Sequence, residues 1–444
     1  MRKPLKVLAV GGLAVAMVAI GGLGLLQTIH EDPPPPPVPG VAATLQASPV
    51  IGPASLSQII EQLQARLRSV PDDWRSSANL GLAYVQQARV SADPSFYPKA
   101  QDALEASLQI HPGGNFEAMT GMAALAAARH DFSGSLDWGE RAQAVNPQNA
   151  NISAVIGDAL VELGRYEEGF DAFQQAVDLR PDLTTYARAS YAWELQGNLD
   201  AATQIMDLAS KAAGSPSDSA WTSYQLGELA WIEGDLERAE TMYGRASQLD
   251  RSFVPSQAGL AKVAAARGRT DQAIALYQDV VARYPVPEYV VALGDLLASA
   301  GREAEAGEQY ALVDVEAALF RANGVNVDLE IALFDADHGR PEAALAAAQA
   351  EWGRRHSIQV ADALAWALHA SGRDAEALDL ADQALRLGTK NPLFLFHRGV
   401  IQHALGRDGE ARRDLASALD LNPHFSLLWA GEAESLLAGM GGAP

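Results

Sequence analysis

The stretch AKVAAARGRTDQAIALY, residues 261–277, carries the pattern that decides the fold. Ala261 is small, Gly268 follows seven places on, Ala273 five after that, and Tyr277 four further. The same order returns along the chain. Gly164, Gly197, Gly234, Gly268, Gly301, Gly339, Gly372 and Gly406 are spaced by 33, 37, 34, 33, 38, 33 and 34 residues, and Arg follows six of these eight. A period of that length marks an array of helical repeats, in which the glycine fits a turn between two antiparallel helices because a positive φ costs little without a Cβ.

Seven places before each turn glycine the residue is always small: Gly157, Ser190, Gly227, Ala261, Gly294, Ala332, Ala365 and Gly399. Five places after it stand Gly169, Ala202, Ala239, Ala273, Ala306, Ala344, Ala377 and Ala411, a facing small surface on the second helix. Four further on, most units carry a bulky side chain (Phe173, Met206, Tyr243, Tyr277, Tyr310, Leu415), which gives the second helix its i, i+4 packing stripe. Pro181, Pro285 and Pro423 then end that helix.

This order of small residue, glycine, small residue, bulky residue and proline resembles the tetratricopeptide repeat. Two further units extend it upstream. Leu80, Gly81, Tyr84, Ala100 and Pro112 make one, interrupted around Asp93-Pro94-Ser95, and Ala123, Ser135, Ala142 and Pro147 make the other, with His130 at the turn. Ten units result, from Trp74 to about Phe425. Gly169, His130, Ala348 and Ala381 depart from the pattern, and the last two leave their units more thinly packed.

A repeat of this kind cannot bury its apolar face alone, so both ends of the stack need covering. Ile59, Ile60, Leu63 and Leu67, closed by Pro71, read as one amphipathic helix before the array; Phe425, Leu428, Trp429 and Leu436 read as one after it. The expected organisation is a signal anchor or signal peptide over 1–29, a Pro-rich linker over 30–54, a capping helix over 55–70, the repeats over 71–424, and a capping helix and tail over 425–444. The resemblance implies an all-α, right-handed superhelical solenoid whose concave groove is lined by the first helix of each pair. With each unit touching only its neighbours, unfolding is expected to pass through intermediates.

Of 444 residues, 48% are hydrophobic, and the formal net charge of −22 disfavours a nucleic-acid partner, because phosphate binding depends on Lys and Arg displacing counterions. Arg2, Lys3 and Lys6 precede an uncharged run from Val7 to Leu26, long enough as a helix to span a bilayer. No Ala-x-Ala site lies just beyond it, which favours an uncleaved anchor with extracytoplasmic repeats in a bacterial envelope, the alternative being secretion after cleavage. Pro33–Pro39 then reads as a stiff polyproline II stalk. The absence of cysteine excludes disulfides, thiolate metal sites and cysteine nucleophiles.

The chain has no phosphate loop, H-E-x-x-H or G-x-S-x-G, so it is read as a non-enzyme without a cofactor. The start of a calcium loop at Asp335, Asp337 and Gly339 fails at its twelfth position, Ala346. By register with the resembled family, the first helices present Tyr191 and Glu194, then Trp221, Tyr224, Glu228 and Trp231, then Asp295, Glu330, Asp362 and Trp366 to the groove. Its basic members are Arg188 and Lys262. Known carboxylate clamps of that family have no counterpart at Ala78, Leu82, Gly121, Asn151 and Val155. The expectation is a protein-binding scaffold for an extended peptide or partner helix with basic or apolar character. The alternative is an accessory role in metal or solute handling, with His369, His403 and Asp337 as weak candidate ligands.

Overall fold

The computed structural model describes residues 52–441; the expected anchor and nearly all of the linker lie outside them. Helix α1, Pro53–Ser69, precedes ten antiparallel pairs. The first five pairs are α2 Trp74–Ser91 and α3 Phe96–Ile110, α4 Phe116–Ala128 and α5 Phe132–Val145, α6 Ala150–Glu162 and α7 Tyr166–Leu179, α8 Leu183–Leu195 and α9 Leu199–Lys211, α10 Pro216–Ile232 and α11 Leu236–Leu249. The next five are α12 Pro255–Ala266 and α13 Thr270–Arg283, α14 Pro287–Ser299 and α15 Glu303–Ala322, α16 Asp328–Asp337 and α17 Pro341–Trp352, α18 Ile358–Ala370 and α19 Asp374–Ala384, α20 Pro392–Ala404 and α21 Asp408–Leu421. Helix α22, Ala430–Gly439, comes last. It starts later than the apolar pattern suggested: Phe425 and Trp429 sit in the preceding turn, where their rings pack on Phe396 at 5.6 and 5.8 Å.

All eight turn glycines adopt φ between 70° and 82°, and His130 takes the same conformation at φ 59°. A side chain there is strained, and His130 is held by its Nδ1 against the carbonyl of Asn326 at 2.6 Å. The residue after the turn glycine plays a different part from unit to unit. Asn198 and Asp235 cap their second helices through side-chain oxygens, whereas Arg165, Arg302 and Arg373 cap nothing and pair instead with Glu168, Glu305 and Glu376 three residues on.

The bulky residue of the second helix sets the spacing of the stack. A Cβ on Gly227 would lie 2.5 Å from the Tyr243 ring, and one on Gly259 in the next unit 2.6 Å from the same ring. Tyr243, fully buried, is therefore clamped between two first helices. Leu104 meets Gly81 and Gly121 in the same way. Ala273 and Ala261, both 0% exposed, leave no space for a larger residue at either place.

The coil is tight enough for its second turn to rest on its first, so the expectation of purely neighbour-to-neighbour contacts does not hold. Tyr284 Oη donates to the Arg89 carbonyl, the Ile358 amide to Tyr166 Oη at 2.8 Å, and Asn422 Nδ2 to the Trp231 carbonyl at 2.7 Å. These partners lie 195, 192 and 191 residues apart. Arg355, 5% exposed, bridges Glu162 of the lower turn and Glu351 of the upper, and its guanidinium lies over the Phe132 ring. Apolar contacts follow the same path: Val85, Tyr97 and Leu125 share one core cluster with Val313, Val327 and Phe334. Every unit along this seam has a third neighbour, which favours cooperative unfolding over the stepwise melting of an open stack.

Two glycines separate the cost of the turn from the cost of the seam. Gly197 (φ 72°) and Gly372 (φ 73°) share a backbone conformation, but a Cβ on Gly197 would lie 2.0 Å from the Gly388 carbonyl oxygen, while nothing is within 4 Å of one on Gly372. Gly372→Ala is expected to cost about 1 kcal/mol from its left-handed φ. Gly197→Ala is expected to cost about 1–3 kcal/mol more, from the added clash. Denaturant unfolding of the pair checks this; equal losses would mean that the two turns of the coil do not touch there.

Candidate functional site

The first helices of successive pairs face inward, and the curvature of the coil gathers them around a lumen that stays partly open to solvent. Its larger part, about 710 Å³, is lined from α2, α4, α6, α8 and α10, by Val85, Thr120, Val155, Asp158, Arg188, Tyr191, Glu194 and Trp221 among others. A second part, about 480 Å³, is lined by Tyr224, Phe253, Tyr284, Glu288, Tyr289, Phe320 and Glu330. Gln86, Arg89, Tyr97, His130 and Trp221 line both. Residues from opposite sides of the superhelix thus share one space.

Charge in the lumen is unevenly paired. Arg188 forms a bidentate pair with Asp158 (2.8 and 2.7 Å) and also donates to the Thr184 carbonyl; burial lowers its pKa, but Asp158 more than restores it. Lys262 sits 2.8 and 3.0 Å from the two Glu228 oxygens, and Tyr243 Oη donates to the same carboxylate at 2.7 Å. The Lys262 ammonium also lies 4.8 Å from the centre of the Trp231 ring. Both expected basic residues are therefore engaged by acids. Glu194, Glu288 and Glu330 have no such partner among the described residues. Burial pushes the Glu194 carboxyl up to about 7, helped by the charge of Glu228, and burial likewise raises Glu288. Tyr191 and Tyr224 are raised well above the usual phenol value, burial being the main cause.

Among the residues nominated from sequence, Tyr191, Glu194, Trp221, Tyr224 and Glu330 line the lumen, and Glu228 and Trp231 form the Lys262 platform beside it. Asp295, Asp362 and Trp366 belong to the interior of the stack instead, so their assignment to the groove is corrected. Asp295 accepts from Tyr310 Oη (2.9 Å) and bonds His338 Nε2 (2.9 Å). Asp362, 2% exposed, faces buried His397 at 3.0 Å, and Trp366, 4% exposed, stacks on His397 and donates to Asp337 at 2.7 Å. For Asp295 the physical reason is recurrent, since the acid six places before the turn glycine can accept the tyrosine nine places after it, as in Glu228 with Tyr243; Asp362 and Trp366 are covered by His397 from the first helix of the next unit.

The candidate metal ligands do not converge. His369 Nδ1 is held by Asp374 and His403 Nδ1 by Asp408, each the first residue of its own unit's second helix, while Asp337 receives the Trp366 and Trp429 indoles. Among the described residues no group of three or more His, Asp or Glu could hold a metal ion.

Glu288, Tyr289, Tyr284, Tyr97 and Gln86 were missed from sequence. For Glu288 a signal existed, since it stands 13 residues before Gly301, as Trp221 stands before Gly234. Tyr97 and Gln86 had none, because only the closure of the coil brings them opposite Trp221.

Two sequence models, each described as tetratricopeptide repeat, match residues 121–184, 154–219, 230–296 and 363–424, together just over half of the chain. No curated protein matches it in sequence. Among solved structures it is similar to the human IFIT1 dimer with PPP-AAAA, at 16% identity and a TM-score of 0.47, over 74% of this chain and 77% of that one. A second is the APC/C hetero-tetramer Cut9-Hcn1, at 17% identity and 0.39, over 86% and 80%. A third is PilF of Pseudomonas aeruginosa, at 20% and 0.36, over 49% and 96%.

The raised Glu194 carboxyl has a consequence for stability. Its pKa rises from 4.5 to about 7 on folding, so the native state holds a proton that the unfolded state releases between those values, and stability falls as pH rises through that window. Glu194→Gln, which resembles the protonated acid, is expected to match the parent near pH 4.5 and to melt at a higher temperature than the parent at pH 8. Melting curves at the two pH values check this, and an equal difference at both would remove Glu194 as the cause.

Proposed function

The chain belongs to the tetratricopeptide repeat family, and from that premise we propose that it is a non-enzymatic scaffold that holds an extended, basic-apolar segment of a partner protein in its lumen. One observation carries this reading: lumen carboxylates that form no ion pair among the described residues, Glu194, Glu288 and Glu330, stand among Tyr191, Trp221, Tyr224 and Tyr289. Aromatic walls supply desolvated contact area, and unpaired carboxylates select Lys or Arg. The dimensions favour an extended chain. Cavities of about 710 and 480 Å³ take a few side chains at a time, not a folded domain. The uncharged run Val7–Leu26 behind Arg2, Lys3 and Lys6 supports a membrane-anchored scaffold with the repeats on the extracytoplasmic side. None of the described helices is long and apolar enough to cross a membrane.

Selection of a random 15-residue peptide library on the protein tests the binding role. Enriched peptides are expected to carry Lys or Arg beside apolar residues, and Trp221→Ala and Glu194→Lys should each weaken them at least tenfold, about 1.4 kcal/mol, with circular dichroism unchanged. Enrichment of acidic peptides, or binding indifferent to both variants, would overturn it. Fractionation tests the anchor. The protein should sediment with membranes and keep its N-terminus, and a soluble form beginning beyond Leu26 would contradict it.

A further inference from the structure

The smaller part of the lumen contains an arrangement that none of the repeat packing uses. Glu288 stands at the start of α14, directly after Pro287, and its carboxylate lines the cavity without a hydrogen bond or ion pair to any described residue. Aromatic rings surround that space from three elements. Tyr224 comes from α10, its ring edge-on to Phe253 at 5.6 Å, while Tyr284 and Tyr289, on either side of Glu288 in the sequence, line the same cavity with their ring centres 6.2 Å apart.

The hydroxyls supply a second, independent observation. Tyr289 is only 6% exposed and that remnant lines the cavity, yet no described residue hydrogen-bonds its hydroxyl. A ring held this deep presents its unbonded hydroxyl to the cavity in a fixed place, where a ligand can bond it in exchange for water. Tyr284, by contrast, already donates to the Arg89 carbonyl. It contributes a ring face and no free donor.

Charges around the cavity decide the sign of that ligand. Lys262 is the cation whose charge acts on Glu288, but its ammonium is held 2.8 and 3.0 Å from Glu228. Arg89 lies at the side of Tyr97 and Tyr284 and forms no ion pair among the described residues. Glu330 adds a carboxylate whose Oε2 is buried without a partner. An anion would meet Glu288 and Glu330 together. A cation would meet the same two carboxylates, which outnumber the single unpaired Arg89, together with aromatic faces and an unbonded hydroxyl, the combination that recognises ammonium groups.

We propose that Glu288, Tyr224, Tyr284 and Tyr289 form a cage for an alkylammonium group. This deepens the preceding proposal and rests on the lumen being the binding surface. The ammonium can be the side chain of a lysine in the bound segment or a free amine.

Titration of the full-length protein, followed by tryptophan fluorescence with Trp221 in the cavity wall, tests the cage. The probes are the peptide acetyl-Ala-Lys-Ala-amide, the same peptide acetylated on the lysine amine, and n-butylammonium chloride. Both amines should give a saturable change and the acetylated peptide none. Glu288→Gln should weaken the amines at least tenfold, and Tyr289→Phe, which keeps the ring and removes the hydroxyl, a few-fold, with circular dichroism unchanged. A lysine peptide at least tenfold tighter than n-butylammonium assigns the site to a partner's lysine; equal affinity assigns it to free amines, and either supports the cage. No saturation by either amine, or equal affinity in folded Glu288→Gln, overturns it. The two proposals fail separately: library peptides bound without any amine response sink the cage alone, and amine binding without library enrichment sinks the peptide reading alone.

Discussion

The pitch of this molecule is set by rings and side chains that meet a missing Cβ. Tyr243 fits against Gly227 in its own unit and Gly259 in the next, so the separation of three helices depends on one side chain and two glycines. A larger residue at either glycine would push the helices apart, and a smaller one at Tyr243 would leave a cavity. Leu104, Phe173, Tyr310 and Leu415 meet glycines in the same way in other units, and the rotation between neighbours accumulates along the array. After roughly 190 residues the coil has returned above its own beginning, where the two turns meet.

That return changes the energetics. In an open solenoid, stability is a sum over neighbouring units. Here the seam adds hydrogen bonds between backbone and side chain, a shared apolar cluster, and an arginine buried between two carboxylates. Glu351 is held below its usual pKa because its arginines outweigh its burial, while Glu162 is raised, burial outweighing the pull of Arg355. The seam therefore combines one well-compensated acid with one that is less so. Its contribution lies in register as much as in strength, since a buried charged pair fixes which groups must meet.

The same return makes the binding surface. Without it the aromatic and acidic residues of the first helices would line an open groove facing water. With it they line a cavity that stays partly open to solvent, in which Glu194 and Glu288 are harder to ionise and Tyr97 shares a wall with Trp221. Low polarity strengthens any interaction between those carboxylates and a cation that enters.

Much of this was legible in the sequence, and the boundary is physical. The turn glycines, the small-residue seats, the bulky clamp and even His130 as a substitute for glycine follow from local rules of backbone conformation and packing, which act within one repeat and are written there. Tyr191, Glu194, Trp221 and Tyr224 could be placed on the inner face for the same reason. Asp295, Asp362 and Trp366 could not be separated from them, because register gives the face of a helix but not whether a tyrosine or histidine of the next element reaches across to cover it. The partners of Tyr166, Glu162 and Trp231, and the meeting of Tyr97 with Trp221, depend on a small rotation compounded over several units. A slight change per unit would move those contacts by many ångströms, so the sequence determined the repeat and its inner face, and only the tertiary structure decided that the coil closes and what the closed space contains.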